Sequence, residues 1–136
     1  MASYKIMKLS NNGEDFGYLT YGNDIFYGGG KKEDAVKLEP VKYPKLEGAY
    51  YYKVKGSKRY MDIRSNGQRI EGVEYNISLS MSTIVAWLHD SSGELQSVVG
   101  GKEMPNKVSR SMKDPKSQAL YGNARGTHCK ITIEDA

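Results

Sequence analysis

Two histidines and one cysteine are the side chains here best suited to catalysis, and His128-Cys129 sets two of them side by side. A thiol next to an imidazole becomes an activated nucleophile only if the two groups meet. Neighbours on a strand point to opposite faces, so an unbroken strand keeps His128 and Cys129 apart. Cys129 then reads as a small buried apolar residue. There is no second cysteine and no histidine pair at helical spacing, so no metal centre is expected. Gly28-Gly29-Gly30-Lys31-Lys32 lacks the spacing of a phosphate-binding loop and reads as a mobile turn. Glu14-Asp15 and Glu33-Asp34 fall in expected loops and read as solvated carboxylates. These patterns predict a non-enzymatic chain without a cofactor.

The richer pattern runs from Ala49 to Arg69. If Gly56-Ser57 is a two-residue hairpin turn, Lys55 opposes Lys58, Val54 opposes Arg59 and Lys53 opposes Tyr60. Strand alternation then gathers Tyr50, Tyr52, Val54, Arg59, Met61 and Ile63 on one face. The other face gathers Tyr51, Lys53, Lys55, Lys58, Tyr60, Asp62 and Arg64. The first reads as a core face, with Arg59 burying its stem and keeping its head in water beside the turn. The second reads as a wet, cationic face with interleaved tyrosines. Asn66-Gly67 marks a second hairpin, which sets Arg69 opposite Arg64 and Ile70 opposite Ile63. Beyond Ile70 the alternation slips by one residue, and Gly72 is the natural place for a bulge.

Charge is concentrated in the same region. The overall net charge is +4, yet residues 42–69 alone carry +6, from eight basic and two acidic side chains. Lysine and arginine neutralise phosphates and release counterions. Tyrosine rings offer faces on which unpaired bases stack. Single-stranded DNA or RNA therefore suits the face better than duplex, because stacking needs splayed bases. The candidate binding residues are Tyr51, Lys53, Lys55, Lys58, Arg59, Tyr60, Arg64 and Arg69.

These residues need a scaffold. The chain has 136 residues, enough for one domain spanning 1–136. It contains 15 Gly and 11 Tyr, and its short apolar runs are punctuated by turn signals, which predicts a mainly β fold. The expected form is an antiparallel twisted sheet, small sandwich or barrel. Strands are expected at 3–9, 16–21, 24–27, 49–55, 58–64, 69–80, 95–99 and 128–134. Residues 28–47 and 101–126 read as long connections. One short helix is expected at Ser82–Asp90, because Met81, Ile84, Val85 and Leu88 fall on one helical stripe. Ser80 or Ser82 would cap it, Asp90-Ser91-Ser92-Gly93 would stop it, and Trp87 would pack at the edge of the core.

Lys58-Arg-Tyr-Met-Asp-Ile-Arg64, then Tyr75-Asn-Ile-Ser-Leu-Ser80, then the expected helix ending near His89, resembles the core of the positive-cofactor-four type of transcriptional coactivator. The resemblance covers about 30 residues. It implies a sheet crossed by a helix, a dimer, and single-stranded DNA binding in which Arg59, Tyr60 and Arg64 take part.

No stretch has the apolar length of a signal peptide or a bilayer span, and the lone cysteine suits a reducing compartment. The expectation is a cytoplasmic or nuclear protein without a membrane partner, with homo-oligomers allowed. Its partner is expected to be single-stranded nucleic acid. The alternative is a lectin-like or protein-recognition β module, including a small viral or inhibitory protein. The Tyr-, Gly- and Asn-rich turns suit it, because tyrosine is an efficient interface anchor.

Overall fold

The computed structural model describes residues 3–64, 67–74 and 84–136. Twelve strands and one 3-10 turn lie in them. They are β1 (Lys5–Asn11), β2 (Glu14–Gly22), β3 (Ile25–Gly30), the 3-10 turn (Lys32–Asp34), β4 (Leu38–Lys42), β5 (Ala49–Val54) and β6 (Arg59–Ile63). Next come β7 (Ile70–Glu74), β8 (Ala86–His89), β9 (Leu95–Val99), β10 (Lys102–Arg110), β11 (Leu120–Asn123) and β12 (Cys129–Asp135).

Tight turns make short strands into antiparallel neighbours. Following the pairings β5-β4-β1-β2-β3-β7-β6 and back to β5 closes a seven-stranded antiparallel barrel. The sheet also continues from β5 through β8, β9 and β10 to β11, while β12 lies along β1. Single bridges at Tyr27–Ala119 and Arg69–Tyr121 bring the β11 end back to the barrel. The main core collects inward residues of the barrel and of this extension, including Met7, Leu38, Tyr52, Met61, Trp87 and Leu120. A second core forms from Tyr43, Ala49, Tyr51, Tyr60, Ile84, Ala86 and Val98. β5 serves both, its Tyr52 facing one core and its Tyr51 the other. No helix among the described residues is long and apolar enough to cross a membrane.

The fold is nearly all β among the described residues, and the expected helix is a correction. Met81, Ser82 and Thr83 lie outside the described residues, but Ala86–His89 is a strand paired with β5 and β9. The run Ile84-Val-Ala-Trp-Leu88 is apolar without a break because both of its faces are covered. Val85 and Trp87 enter the main core, while Ile84 and Ala86 enter the second. A strand buried on both sides imitates a helical stripe in sequence. Trp87 is fully buried, and its indole N–H donates to the Met61 carbonyl at 3.0 Å. Asp90–Gly93 is not a helix stop but the β8–β9 turn, in which Asp90 Oδ1 accepts the Ser92 and Glu94 N–H groups.

The expected long connections contain β4, β10 and β11. Pro40 sits inside β4 opposite Tyr52, where a proline argues against a strand in sequence. Gly28–Gly30 closes β3 rather than forming a loop. No bulge interrupts the β6–β7 ladder, which runs unbroken from Arg59–Glu74 to Ile63–Ile70. Gly72 has another reason to be glycine: a Cβ there would run into the Tyr21 side chain.

Candidate nucleic-acid interface

The register read from the Gly56 turn is the one found. Lys53 opposes Tyr60, and Gly56 takes the positive φ of 75° that the turn requires. The turn itself is a correction: its closing bond runs from Ser57 N–H to the Val54 carbonyl at 3.1 Å, so Lys55 and Gly56, not Gly56 and Ser57, are its central residues. Ile63 opposes Ile70, and the Arg64 N–H donates to the Arg69 carbonyl at 3.0 Å. Asn66, half of the second turn signal, lies outside the described residues, as do Tyr75–Ser80 of the coactivator-like segment. That segment's implied helix would end where β8 stands.

Side-chain alternation also holds, but one half of the expected wet face is dry. Tyr51 is 4% exposed and Tyr60 7% exposed. Their rings meet edge to face at 6.4 Å, and Tyr43 packs on Tyr51 at 5.2 Å. The cover comes from the β4–β5 connection, which folds back through a Tyr43 N–H bond to the Ala49 carbonyl at 3.0 Å and brings Leu46 onto the same cluster. Burial, aided by the negative charge of Glu39, pushes the Tyr60 phenol above its ordinary pKa. Neither ring can take a stacked base, which corrects their expected role. On the expected core face, Tyr50 is the exception and is exposed at the end of β5.

Asp62 is also buried on this face. It accepts the N–H groups of Ile63 at 2.8 Å and Val85 at 3.3 Å, and so joins β6 to the segment leading into β8. Burial raises its pKa, against the opposing pull of those two bonds.

The three arginines are occupied. Arg59 meets Asp24 at 3.3 Å and Glu74 at 3.9 Å, and donates to the Gly72 carbonyl at 3.2 Å. It lies on the Met61 side of β6, opposite to Tyr60, with its head at the barrel mouth. Arg69 meets Glu71 at 2.8 Å, and Arg64 meets the same carboxylate at 3.8 Å. These acids come from β7 and from the turn before β3.

The lysines are different. Lys53, Lys55 and Lys58 form no ion pair among the described residues; Lys55 and Lys58 are exposed and Lys53 is half-buried. Lys37, just before β4, joins them, because the Lys55 N–H donates to the Lys37 carbonyl at 3.0 Å. Leu38 and Val54 oppose each other and point into the main core, while Lys37 and Lys55, one residue beyond them, are both exposed. Lys37 and Lys55, joined by that bond, and Lys58 on the far side of the Gly56 turn are all exposed and make up a lysine row at this strand end, with Lys53 two residues along β5. The Tyr4 ring borders the row, with the Lys55 ammonium 4.8 Å from its centroid. Lys37 and Tyr4 were invisible to the hairpin argument, because β1 and β4 bring them from outside residues 49–69.

The candidates for nucleophilic chemistry are separated. Cys129 is buried in the main core, and burial pushes its thiol up to about 11. His128 faces the other way, with Nδ1 2.8 Å from the hydroxyl of buried Ser109. That hydroxyl lies equally close to the Lys107 carbonyl. His89 Nε2 meets the Ile131 carbonyl at 2.7 Å.

Lys107 shows what a committed lysine looks like in this fold. It meets Asp90 at 2.9 Å and Glu94 at 2.8 Å, and Lys130 meets Glu94 at 3.2 Å. Asp90 Oδ2 is buried and has no other partner among the described residues. The ammonium groups of Lys107 and Lys130 hold the Glu94 carboxyl below its ordinary value. At Asp90 burial opposes the charge, but Lys107 and two backbone N–H groups outweigh it and lower the pKa there too. No family model and no curated protein matches the sequence.

Proposed function

We propose that the protein is a non-enzymatic nucleic-acid-binding protein that holds single-stranded DNA or RNA by its backbone across the lysine row at the barrel end. The observation that carries this reading is the clustering of Lys37, Lys53, Lys55 and Lys58 on one outward surface without ion-pair partners among the described residues. Like charges gathered at one strand end are mildly unfavourable, and a polyanion relieves that repulsion. Each lysine that meets a phosphate releases condensed counterions, so affinity falls steeply with salt. The half-buried Tyr4 ring beside Lys55 is the aromatic group at this surface, in place of the buried Tyr51 and Tyr60. Binding therefore rests on phosphate contacts more than on base stacking.

The test is fluorescence anisotropy of a labelled single-stranded oligonucleotide at low salt, with a duplex of the same sequence as competitor. The reading expects saturable binding that weakens as salt rises and is stronger for the single strand. Absence of binding at low salt would refute it.

A further inference from the structure

The outward face of β1 continues from the lysine row to a second feature. Met7 and Leu9 point into the main core, so Tyr4, Ile6, Lys8 and Ser10 share the opposite face, where Ile6 is covered and Tyr4, Lys8 and Ser10 reach the surface. Four residues beyond Tyr4, about 13 Å along an extended strand, Lys8 and Ser10 line a cleft of about 340 Å³ together with Leu9, Asp15 and Thr132. β2 supplies Asp15 opposite Ser10, and β12 supplies Thr132 opposite Lys8. A cleft of this volume is at the small end of ligand sites and large enough for one nucleoside.

The lining has a specific chemistry. Lys8 offers an ammonium that makes no ion pair among the described residues, with its Nζ 6.0 Å from the Tyr18 ring centroid. Asp15 spends Oδ1 on the Gly17 N–H at 2.9 Å, and no bond to its other carboxylate oxygen is found among the described residues. Ser10 and Thr132 add two hydroxyls. Tyr18, opposite Lys8, is anchored by its hydroxyl, which donates to Glu134 at 3.1 Å. The set is a cation beside neutral hydroxyls and a carboxylate acceptor. It matches a sugar hydroxyl flanked by a phosphate, and it sits on the same strand face as the phosphate-binding row.

We infer that the cleft formed by Lys8, Ser10, Asp15 and Thr132 is a ribose-reading subsite, so that the protein selects RNA over DNA. The inference rests on the nucleic-acid reading above and adds the sugar. The 2′-hydroxyl can donate to Asp15 and accept from Ser10 or Thr132, whereas deoxyribose leaves those groups without a ligand partner. Lys8 takes the adjoining phosphate, and the strand continues past Tyr4 toward Lys55 and Lys37. The 2′-hydroxyl is the group by which a protein tells the two nucleic acids apart at a given position.

The experiment compares oligouridylate with oligodeoxyuridylate of equal length, which share the same base, on the wild type and on a Ser10→Ala/Thr132→Val double variant. Thr132 is exposed and Val keeps its β-branched shape, and far-ultraviolet circular dichroism confirms folding. Asp15→Asn, at an exposed position, is the second variant and does not depend on the first. The wild type is expected to prefer RNA by about tenfold, the worth of roughly one good hydrogen bond. Both variants should lose that preference, the double variant keeping its DNA affinity and Asp15→Asn binding DNA at least as tightly as the wild type. Equal wild-type affinity for the two oligomers would overturn the ribose assignment and leave the lysine row standing. Binding of neither would overturn the nucleic-acid reading itself. Saturable binding of free glucose or galactose, with no RNA preference, would assign the cleft to a glycan and overturn the inference.

Discussion

The strands around the Gly56 hairpin treat their arginines and their lysines in opposite ways. Arg59, Arg64 and Arg69 each meet a carboxylate, from Asp24, Glu71 or Glu74. Lys37, Lys53, Lys55 and Lys58 meet none among the described residues. The difference follows from position. The arginines lie along the β6–β7 ladder, where Glu71 and Glu74 are cross-strand neighbours of Asp62 and Arg59. Lys37, Lys53 and Lys55 lie on the β4–β5 side, where Glu39, opposite Lys53, is the one acid paired within that ladder, and Lys58 lies in the turn before β6. Arginine's planar fork suits fixed carboxylate partners, while lysine's flexible ammonium adapts to a passing phosphate. A charge total over residues 42–69 treats both groups alike. Only their neighbours separate a structural cation from one available to a ligand.

The largest way to break this comparison is to attack the covered face next to the open rim. Tyr51→Ala should destabilise the fold by about 3–5 kcal/mol, the usual cost of truncating a buried aromatic, measured by urea unfolding. A variant that keeps its stability but loses oligonucleotide binding would show that Tyr51 is a surface ligand group after all. Lys107→Met comes next and contrasts a committed lysine with the free ones. It strands Asp90, leaves Glu94 to Lys130 alone, and should cost about 3 kcal/mol at neutral pH, because each carboxylate is no more than 15% exposed. The sign with pH is fixed by the lowered carboxyl pKa values. Wild-type stability from this cluster is fully present above the ordinary carboxylate range, near 4, and is lost as pH falls through the depressed values. The gap between Lys107→Met and wild type should therefore close on acidification, read from thermal unfolding at stepped pH.

Smaller effects belong to the rim. Lys55→Ala and Lys58→Ala should each change stability by less than about 0.5 kcal/mol, while each flattens the salt dependence of single-strand binding by about 0.7 unit. The smallest expected change is a gain. Glu71→Gln releases Arg64 and Arg69 together and should strengthen oligonucleotide binding about two- to threefold, since exposed ion pairs are worth less than about 1 kcal/mol. An unchanged affinity would mean the arginine half lies outside the bound strand's path.

Much of this was legible in sequence because turn chemistry and alternation are local. Gly56 set the Lys53–Tyr60 register, the second turn signal set Ile63 opposite Ile70, and Leu95–Val99 is a strand at the limits expected for it. What was hidden depends on residues far along the chain. Nothing near Tyr51 or Tyr60 announces that Tyr43, Leu46 and Ile84 cover them. Alternation divides two faces but does not say which face is wet when both carry cores. The same double covering disguised β8 as a helical stripe. Pro40 hid β4, and with it Lys37. The cleft needed β1, β2 and β12 together, so Lys8 and Thr132 had no shared signal in sequence.

The most direct measurement is the salt dependence of single-strand binding by the wild type and by a variant with Lys37, Lys53, Lys55 and Lys58 all changed to Gln. With about 0.7 counterion released per neutralised phosphate of a single strand, the four lysines should contribute about −3 to the wild-type log–log slope, and the variant should bind weakly with a slope no steeper than about −1, left by Lys8, while unfolding at the same urea concentration. Equal slopes for the two proteins would contradict the assignment of the lysine row as the binding surface.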